Sequence, residues 1–418
     1  PPPPHTSTPD ISSAASDVYN RQVMLHTWKR EITDCVDGDY RVLVLDQSSV
    51  ELKARKLKEA IELQAADGKA RYVVTNYESA WRMPLYAQVM GHDWTVIVAD
   101  ECHRMKAPGC TQSTFMARLA DRGVFRVGLS GTPFPQGPLD AYGIYRFLNK
   151  GIFGKSYYPF RNRFALMGGF GGKQVVGYQN VDELSAKINS IKYYAGRDLL
   201  DLPEAVHKQI VLPVPHKMGK QYRMLEKEMY TWIKEAGAEV TASNALVKLL
   251  RLQQMTSGYV KGDDDKLVEL HTAKQDATEE ILEDLDEQEK VVIFCRFTHD
   301  VQAAKDAAEN VNRRAYEISG SRNELLDWKK AGPGAVIAVQ IDSGSEGISL
   351  VEARHCIMWS VGFSLAKYLQ ALARTHRPGQ TDTCFYHHLV MEGTVDDKVY
   401  QALAQKQQVI ETIIGEVQ

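Results

Sequence analysis

The chain alternates short apolar runs with longer stretches in which apolar residues recur at helical spacing. A run of about four apolar residues bounded by polar ones is typical of a strand buried in a parallel sheet. Strands that alternate with helices predict an α/β fold, and their two groups predict two lobes with parallel sheets. The apolar runs lie at residues 96–99, 127–129, 291–296, 335–340, 356–359 and 385–390, and the clearest helical patterns at 217–234, 244–255 and 396–414.

The stretches outside these patterns suggest where the chain divides. Residues 1–21 are rich in Pro, Ser, Thr and Ala, which predicts a disordered or unassigned leader. The glycine-bracketed, acidic stretch 258–266 is typical of a hinge between lobes or of an ordinary surface loop. The other predicted segments are a first lobe (22–203), inter-lobe helices with the hinge (204–262) and a second lobe (263–418).

Two carboxylates follow the first predicted strand, in Val96-Ile-Val-Ala-Asp-Glu-Cys-His103. Ligands of open α/β sheets gather beyond the carboxyl ends of the strands, so Asp100 is placed to hold Mg²⁺. Glu101 can orient or deprotonate an attacking water, and His103 can report the state of a nucleotide to a neighbouring element. An isolated Asp-Glu pair is also typical of a solvated turn.

Two further turns at strand ends carry small residues. The strand that begins at Val127 ends in a turn that contains Ser130 and Thr132, so two strand ends face one crevice. In the second half, Gly344 and Gly347 follow another strand. Glycines at such positions let the backbone approach a ligand closely and offer amide donors to phosphate.

The segment Gln370-Ala-Leu-Ala-Arg-Thr-His-Arg-Pro-Gly-Gln380 carries two arginines three residues apart. We expect Arg374 and Arg377 to lie on one face of a short helix. A guanidinium stays charged and presents a planar fork of donors, so this pair suits the charge that develops on a γ-phosphate, as an arginine finger does. The alternative is a solvated helix with basic residues at i,i+3.

Together these motifs resemble those of the Swi/Snf family of helicase-like ATPases, in superfamily two. The order Asp-Glu-x-His, Ser-Gly-Thr-Pro, Ser-Gly-x-Glu-Gly-Ile and Gln-Ala-x-Ala-Arg-x-His-Arg-x-Gly-Gln is that of the family. The resemblance runs from Trp28 to about Gln408 and includes Trp28-Lys-Arg-Glu-Ile32 and Val74-Thr-Asn-Tyr-Glu78. The compact spacing is similar to that of short phage and bacterial members.

The resemblance implies two tandem RecA-like lobes that bind ATP and Mg²⁺ and move along double-stranded DNA, usually without separating its strands. It implies catalytic roles for Asp100, Glu101, Arg374 and Arg377, with Asp100 as the metal ligand. It implies nucleotide-binding or coupling roles for His103, Ser130, Thr132, Gly344, Gly347 and Gln370, and DNA-facing positions for Thr75, Asn76, Tyr77, Arg296 and Phe297.

The chain departs from the family pattern at the phosphate-binding loop, Gly-x-x-x-x-Gly-Lys-Ser/Thr, which should precede Trp28. Asn149-Lys-Gly-Ile-Phe-Gly-Lys-Ser156 misses this pattern only at its first glycine, but it follows a helical pattern and comes after the Asp-Glu strand. Gly171-Gly-Lys-Gln174 lacks the hydroxyl that would bind Mg²⁺.

The missing loop leaves two hypotheses. The first is an ATP-dependent DNA translocase whose first lobe is N-terminally truncated in this sequence. The second is a degenerate member that acts as a non-hydrolysing DNA- or partner-binding module. For the chain as written we expect little ATPase activity, because no loop holds the β- and γ-phosphates. A first lobe without its leading strand and helix is also expected to expose an apolar sheet edge and face.

Composition adds limits on partners and location. The formal net charge is −3, so DNA binding requires a local basic stripe. The six cysteines form no Cys-x-x-Cys pair, which argues against a structural metal and for a reducing compartment. No segment has the ~18 uninterrupted apolar residues of a membrane span. We expect a cytoplasmic monomer without membrane contact. Candidates for the basic stripe are Arg161, Arg163, Lys173, Lys248 and Arg251.

Overall fold

Helices and strands alternate along the chain and form two compact units, each of which is described by itself. The computed structural model describes residues 16–169, 172, 174–195, 199–235, 242–261, 266–344 and 348–414. The first unit comprises Pro1–Leu166, Gly177–Lys192 and Val409–Gln418, and the second comprises Met167–Val176 and Tyr193–Gln408. The predicted α/β class is confirmed.

The first half of the chain begins with a helix that starts inside the predicted leader. Its elements are α1 (Ser16–Cys35), β1 (Tyr40–Val44), α2 (Val50–Asp67), β2 (Ala70–Val74), α3 (Tyr77–Ala80), α4 (Leu85–Met90), β3 (Trp94–Ala99), α5 (Thr111–Leu119), β4 (Gly123–Gly128), α6 (Ala141–Leu148), α7 (Lys150–Phe153), α8 (Tyr157–Phe164), β5 (Ala165–Gly168), β6 (Gln174–Tyr178) and α9 (Val181–Asn189). Short 3₁₀ turns lie at Cys102–Met105, Ala120–Arg122 and Pro138–Asp140.

The core of the first unit lies between these helices and two pairs of parallel strands. β1 pairs with β2 and β3 pairs with β4, and among the described strands the two pairs are separate sheets. Ile97 and Ala99 of β3 join a buried cluster that includes Leu57, Met105 and Phe147. This packing fixes the carboxyl end of β3, where the predicted carboxylates follow.

β3 is buried on one face only, which corrects the prediction of a fully buried strand. Val96 and Val98 are 48% and 49% exposed, and their partners in register on β4, Phe125 and Val127, are 61% and 40% exposed. Parallel sheets are normally covered on both faces. The four side chains form an apolar patch on this face.

The second half of the chain contains most of the predicted elements at the expected places. Three predicted helices, at 217–234, 244–255 and 396–414, are confirmed as α10, α11 and α17. The elements are β7 (Ala205–Leu212), α10 (His216–Glu235), α11 (Ala242–Thr256), β8 (Tyr259–Lys261), β9 (Leu267–Glu269), α12 (Ala273–Asp284), β10 (Val291–Cys295), α13 (Thr298–Asn310), β11 (Ala315–Ile318), α14 (Leu325–Lys330), β12 (Val336–Gln340), α15 (Ile341–Gly344), β13 (His355–Met358), α16 (Leu365–Leu372), β14 (Cys384–Met391) and α17 (Val395–Ile414).

The second unit is built on one six-stranded parallel sheet in the order β11-β12-β10-β13-β14-β7. β10 and β13 are buried along their whole length, as their continuous apolar runs predict. β7 occupies one edge and pairs with β14, from Ala205 opposite Cys384 to Leu212 opposite Met391. The sequence pattern predicts only inter-lobe helices and a hinge in this part of the chain, so β7 is an addition to the predicted elements.

Candidate functional site

The backbone at the ends of β3 and β4 brings the predicted carboxylates and hydroxyls of the first unit together. Leu129 donates its backbone N–H to the carbonyl oxygen of Ala99 at 2.9 Å, and Cys102 donates to the carbonyl oxygen of Leu129 at 2.8 Å. These bonds continue the parallel pairing beyond the strands. They hold the turn at 100–103 against the turn at 130–132.

The carboxylate of Asp100 is oriented by two donors. Its Oδ1 accepts the backbone N–H of Glu101 at 2.8 Å. Its Oδ2 accepts the indole N–H of Trp28, on α1, at 3.2 Å. A carboxylate fixed by such bonds at the end of a strand has the preorganisation that a metal ligand needs.

Glu101 has an uncommon backbone conformation and contacts a second predicted residue. Its φ of 46° and ψ of 49° are left-handed, a region that residues with a Cβ atom rarely adopt. Its Oε2 lies 3.0 Å from Nδ1 of His103, and that nitrogen lies 3.3 Å from Oγ of Ser130. The structure thus connects Glu101 to the turn after β4 through one imidazole ring.

The turn after β4 also supplies an oxygen that a ligand would satisfy. Ser130 Oγ accepts the backbone N–H of Thr132 at 3.2 Å. Thr132 Oγ1 is buried, and no hydrogen-bond partner for it lies within the described part of the chain. Carboxylate and hydroxyl oxygens are the ligands that Mg²⁺ prefers, and Mg²⁺ that binds phosphates takes only one or two protein ligands. The residues present therefore fit Mg²⁺, and the assignment of Asp100 as its ligand stays a prediction.

The two near matches to a phosphate-binding loop differ in what the structure describes. The first near match follows helix α6 and not a strand, and its residues 150–153 form the short helix α7. A phosphate-binding loop would instead join a strand to a helix. Lys150 pairs with Asp121, with Nζ and Oδ1 2.5 Å apart. In the second, Gly171 and Lys173 lie outside the described residues. Within the described ranges, no loop of the Gly-x-x-x-x-Gly-Lys-Ser/Thr pattern joins a strand to a helix.

The segment predicted to face DNA in the first unit lies against the carboxylate turn. Asn76 caps α3, since its Oδ1 accepts the N–H of Ser79 at 3.3 Å. Tyr77 is 8% exposed, and its hydroxyl donates to the carbonyl oxygen of Asp100 at 2.8 Å. Thr75 Oγ1 is buried and has no hydrogen-bond partner among the described residues. A DNA-facing role for this segment stays a prediction.

The two predicted finger arginines do not lie on a helix, which corrects the sequence prediction. α16 ends at Leu372, and Arg374 and Arg377 follow it in a series of turns. Pro378 disfavours helical backbone at the residue before it. The residue four positions after Arg374 is Pro378, which has no N–H to donate to the Arg374 carbonyl oxygen, and that oxygen accepts the N–H of Leu350 at 2.9 Å instead.

The turns nevertheless direct both guanidinium groups to one peptide group. Nη1 of Arg374 lies 3.5 Å, and Nη1 of Arg377 3.3 Å, from the carbonyl oxygen of Ile348. Burial lowers the pKa of Arg377 from its ordinary value, although a guanidinium remains charged at neutral pH. Gln370 lies on α16 and Gly344 ends α15, whereas Gly347 lies outside the described residues.

The second segment predicted to face DNA, Arg296 and Phe297, is partly buried in the second unit. The backbone N–H of Arg296 donates to Ser360 Oγ at 2.8 Å, and its guanidinium donates to Gln253 Oε1. The guanidinium carbon lies 5.2 Å from the ring centre of Phe297, whose N–H donates to Asp300 Oδ2 at 3.3 Å. Burial lowers the pKa of Arg296. Its role in DNA binding stays a prediction.

The sequence did not indicate two contacts that shape the carboxylate turn. From the sequence, Trp28 is only part of a segment that resembles the family, and Tyr77 is predicted to face DNA. The buried pair of Glu78 and Arg104, with Oε1 and Nη2 2.5 Å apart, was not predicted either. The only sequence feature that could have indicated these contacts is that Trp28 and Tyr77 are aromatic residues with a polar group at the end of the side chain.

The described residues contain neither a membrane-spanning helix nor a cluster of three or more His, Cys, Asp or Glu residues that could hold a metal ion. In the ranges that the structure covers, no helix is both long and apolar enough to cross a bilayer. In the same ranges, no group of three or more His, Cys, Asp or Glu residues is arranged to hold a metal ion.

Known proteins resemble this chain over most of its length. Protein p41 of Acyrthosiphon pisum secondary endosymbiont phage 1 is 26% identical over 333 residues, which cover 75% of this chain and 71% of that protein. The uncharacterized ATP-dependent helicase MG018 of Mycoplasma genitalium is 24% identical over 328 residues, 77% of this chain and 31% of that protein. The DNA repair and recombination protein RAD54-like of Homo sapiens is 20% identical over 459 aligned positions, 98% of this chain and 59% of that protein.

The chain therefore spans only part of these relatives, from 31% to 71% of their lengths. Among solved structures, the Sulfolobus solfataricus SWI2/SNF2 ATPase core in complex with dsDNA is 21% identical with a TM-score of 0.40, and the match covers 98% of this chain and 88% of that one. The helicase conserved C-terminal domain profile matches residues 273–379. Because the SNF2-related domain profile matches residues 19–258, more than half of its length, the chain belongs to the SNF2-related family of helicase-like proteins.

Proposed function

We propose that this protein is a DNA-dependent ATPase that couples ATP hydrolysis to movement along duplex DNA. The observation that carries the proposal is the cluster of Asp100, Glu101, His103 and Ser130 at the ends of β3 and β4. A fixed carboxylate beside a second carboxylate, with an imidazole and hydroxyls in contact, suits phosphoryl transfer to water. Relatives named as an ATP-dependent helicase and as a DNA repair and recombination protein support the same function.

Each residue of the cluster has a distinct task in this proposal. Asp100 holds Mg²⁺, which neutralises charge on the phosphates when it is bound. Glu101 accepts a hydrogen bond from the attacking water and orients it toward the phosphorus. Nδ1 of His103 contacts both the Glu101 carboxylate and the hydroxyl of Ser130, so His103 senses the position of Glu101 from the turn after β4.

The arginine pair supplies positive charge in the second unit. In the structure both guanidiniums lie near a neutral carbonyl oxygen, that of Ile348. A phosphate oxygen is a stronger acceptor than a neutral carbonyl, because the hydrogen bond is assisted by both charges. We therefore assign Arg374 and Arg377 to the stabilisation of charge on the transferred phosphoryl group.

A second function stays open, a non-hydrolysing DNA- or partner-binding module. It is favoured by one observation, that no glycine-rich phosphate loop joins a strand to a helix within the described residues. Such a loop supplies backbone amides, a lysine for the phosphates and a hydroxyl for Mg²⁺. The two functions differ in hydrolysis and not in DNA binding.

Steady-state ATP hydrolysis with and without duplex DNA, measured beside DNA binding, separates the two functions. In a version of the chain completed with an upstream phosphate-binding loop, we expect DNA-stimulated hydrolysis that Glu101→Gln abolishes while nucleotide binding stays nearly intact, because only the water-orienting carboxylate is lost. Asp121→Asn, which removes an exposed carboxylate of the same unit, is the matched control and should keep the parent rate. DNA binding without hydrolysis would instead establish the second function, and hydrolysis that survives Glu101→Gln would refute the assignment of Glu101.

A further inference from the structure

Both polar atoms of the peptide group between Asp100 and Glu101 are held by side chains. The N–H of Glu101 donates to Oδ1 of Asp100 at 2.8 Å. The carbonyl oxygen of Asp100 accepts the hydroxyl of Tyr77, also at 2.8 Å. If this peptide plane turned over, both hydrogen bonds would be lost.

The orientation of this plane determines the backbone conformation of Glu101. A rotation of the plane changes φ of Glu101, which stands at 46° in the structure. The left-handed conformation is unfavourable for a residue with a Cβ atom and persists only where the surrounding structure supports it. Of the two bonds that support it, the one from Asp100 is local, and the one from Tyr77 comes from a different element, α3.

Tyr77 is itself rigidly placed. Its ring is buried, and the guanidinium carbon of Arg104 lies 5.5 Å from the ring centre. Arg104 is fixed in turn by Glu78, with which it forms an ion pair whose side chains are 9% and 4% exposed. Burial raises the pKa of Tyr77 well above its ordinary value, so the hydroxyl keeps its proton and remains a donor at neutral pH.

We propose that Tyr77 is a positioning residue for Glu101, whose hydroxyl holds the Asp100–Glu101 peptide so that the Glu101 carboxylate meets His103. The inference rests on the proposed function, in which Glu101 orients the attacking water. It also gives the segment 75–77 a physical connection to the carboxylates, because the Tyr77 hydroxyl joins α3 to the turn after β3.

Tyr77→Phe is the variant that tests the proposal, since it removes the hydroxyl and keeps the ring. We expect amide hydrogen exchange in peptides that cover residues 100–104 to become roughly fivefold faster, the factor that corresponds to one typical hydrogen bond. In a hydrolysing protein, kcat should fall by a factor of about five to ten while KM for ATP stays unchanged. Tyr86→Phe is the matched control, because Tyr86 packs on Phe115 in the same unit, with ring centres 5.9 Å apart.

The two measurements separate this proposal from the proposed function. Hydrogen exchange needs no hydrolysis, so it tests Tyr77 in the chain as it stands. Absence of ATPase activity in a version completed with the phosphate-binding loop would refute the proposed function and leave the test of Tyr77 unaffected. Unchanged exchange at 100–104 in Tyr77→Phe would overturn the proposal. Faster exchange spread equally over α6 would also overturn it, since Tyr77 would then support the whole core and not this turn. A rise in KM at constant kcat would assign Tyr77 to nucleotide binding instead.

Discussion

Arg374 and Arg377 reach one carbonyl oxygen from successive turns because the chain leaves the helical conformation after Leu372. On a continuous helix, residues three apart share a face but point in directions about 60° apart, since each residue turns the helix by about 100°. In the turns before Pro378 both forks lie within 3.5 Å of one carbonyl oxygen. The geometry suits a phosphoryl group with several charged oxygens.

In a version of the chain completed with an upstream phosphate-binding loop, Arg377→Ala should lower kcat by about 10³-fold or more, the range found when an arginine finger is removed. Arg377→Lys should restore little of the loss, because an ammonium group cannot reproduce the bidentate fork. Steady-state kinetics with duplex DNA would measure both, with Arg322→Ala, at an exposed surface position, as the control. A generic charge role would be the better account if lysine restored most of the activity.

At the scale of single residues, the sequence indicates the polar side chains that directly follow apolar runs. It does not indicate side chains that contact residues far away along the chain. Asp100, Glu101 and Ser130 were found because parallel strands end at the same edge of a sheet. The hydroxyl of Tyr77 reaches a carbonyl oxygen 23 residues along the chain, and no local pattern encodes that contact. The turn at Arg374 is held by a hydrogen bond from the N–H of Leu350. Leu350 is also too far along the chain for a local sequence pattern to indicate this contact.

At the scale of elements, β3 and β4 show the difference between a covered and an open face. Ile97 on β3 lies in the core at 9% exposure, whereas Phe125 on β4 belongs to the apolar patch described above. Exposed apolar side chains that are continuous across two strands promote association. Their substitution should change solubility more than stability.

Phe125→Thr should change the free energy of unfolding by less than about 0.5 kcal/mol, as exposed positions usually do. It should also reduce binding of a dye that reports exposed apolar surface. Ile97→Thr introduces the same residue on the buried face and should cost roughly 1–3 kcal/mol, because it removes buried carbon and buries a hydroxyl. Urea unfolding and dye fluorescence of the two variants check this; a larger loss of stability from Phe125→Thr would mean that its face is covered in solution.

Apolar runs predicted strands well where both faces are buried, and less well elsewhere. β10, β12, β13 and β14 lie where their continuous runs placed them. β7 was missed because His207, Lys208 and Gln209 interrupt its apolar residues, a pattern that an edge strand tolerates. The end of α16 was missed because the spacing of the two arginines also suits a helix.

At the scale of the whole molecule, charge does not favour DNA binding. The net charge is −3, and several basic residues are engaged locally; Arg163, for example, pairs with Glu183 at 2.6 Å. Binding to duplex DNA must therefore depend on a limited set of lysines and arginines. Lysine and arginine contacts that reach only phosphates carry no sequence preference.

We expect binding to duplex DNA that is indifferent to sequence and falls steeply with salt. The logarithm of the affinity should decrease linearly with the logarithm of the salt concentration, because each neutralised phosphate releases counterions. Fluorescence anisotropy with two duplexes of equal length and unrelated sequence, titrated over a range of salt, measures this. A slope near zero, or a strong preference for one duplex, would count against movement along DNA.

The pairing of β7 with β14 sets the order in which the second unit can be completed during synthesis. The two strands are about 180 residues apart, and β14 is the partner of β7 in the sheet. At roughly 5–20 residues per second, β7 leaves the ribosome about 10–40 s before the strand that it needs. During that interval the nascent chain carries an unpaired edge with Val211 among its side chains. The second unit therefore closes this edge of its sheet only after β14 has been synthesised, and until then β7 stays unpaired in the nascent chain.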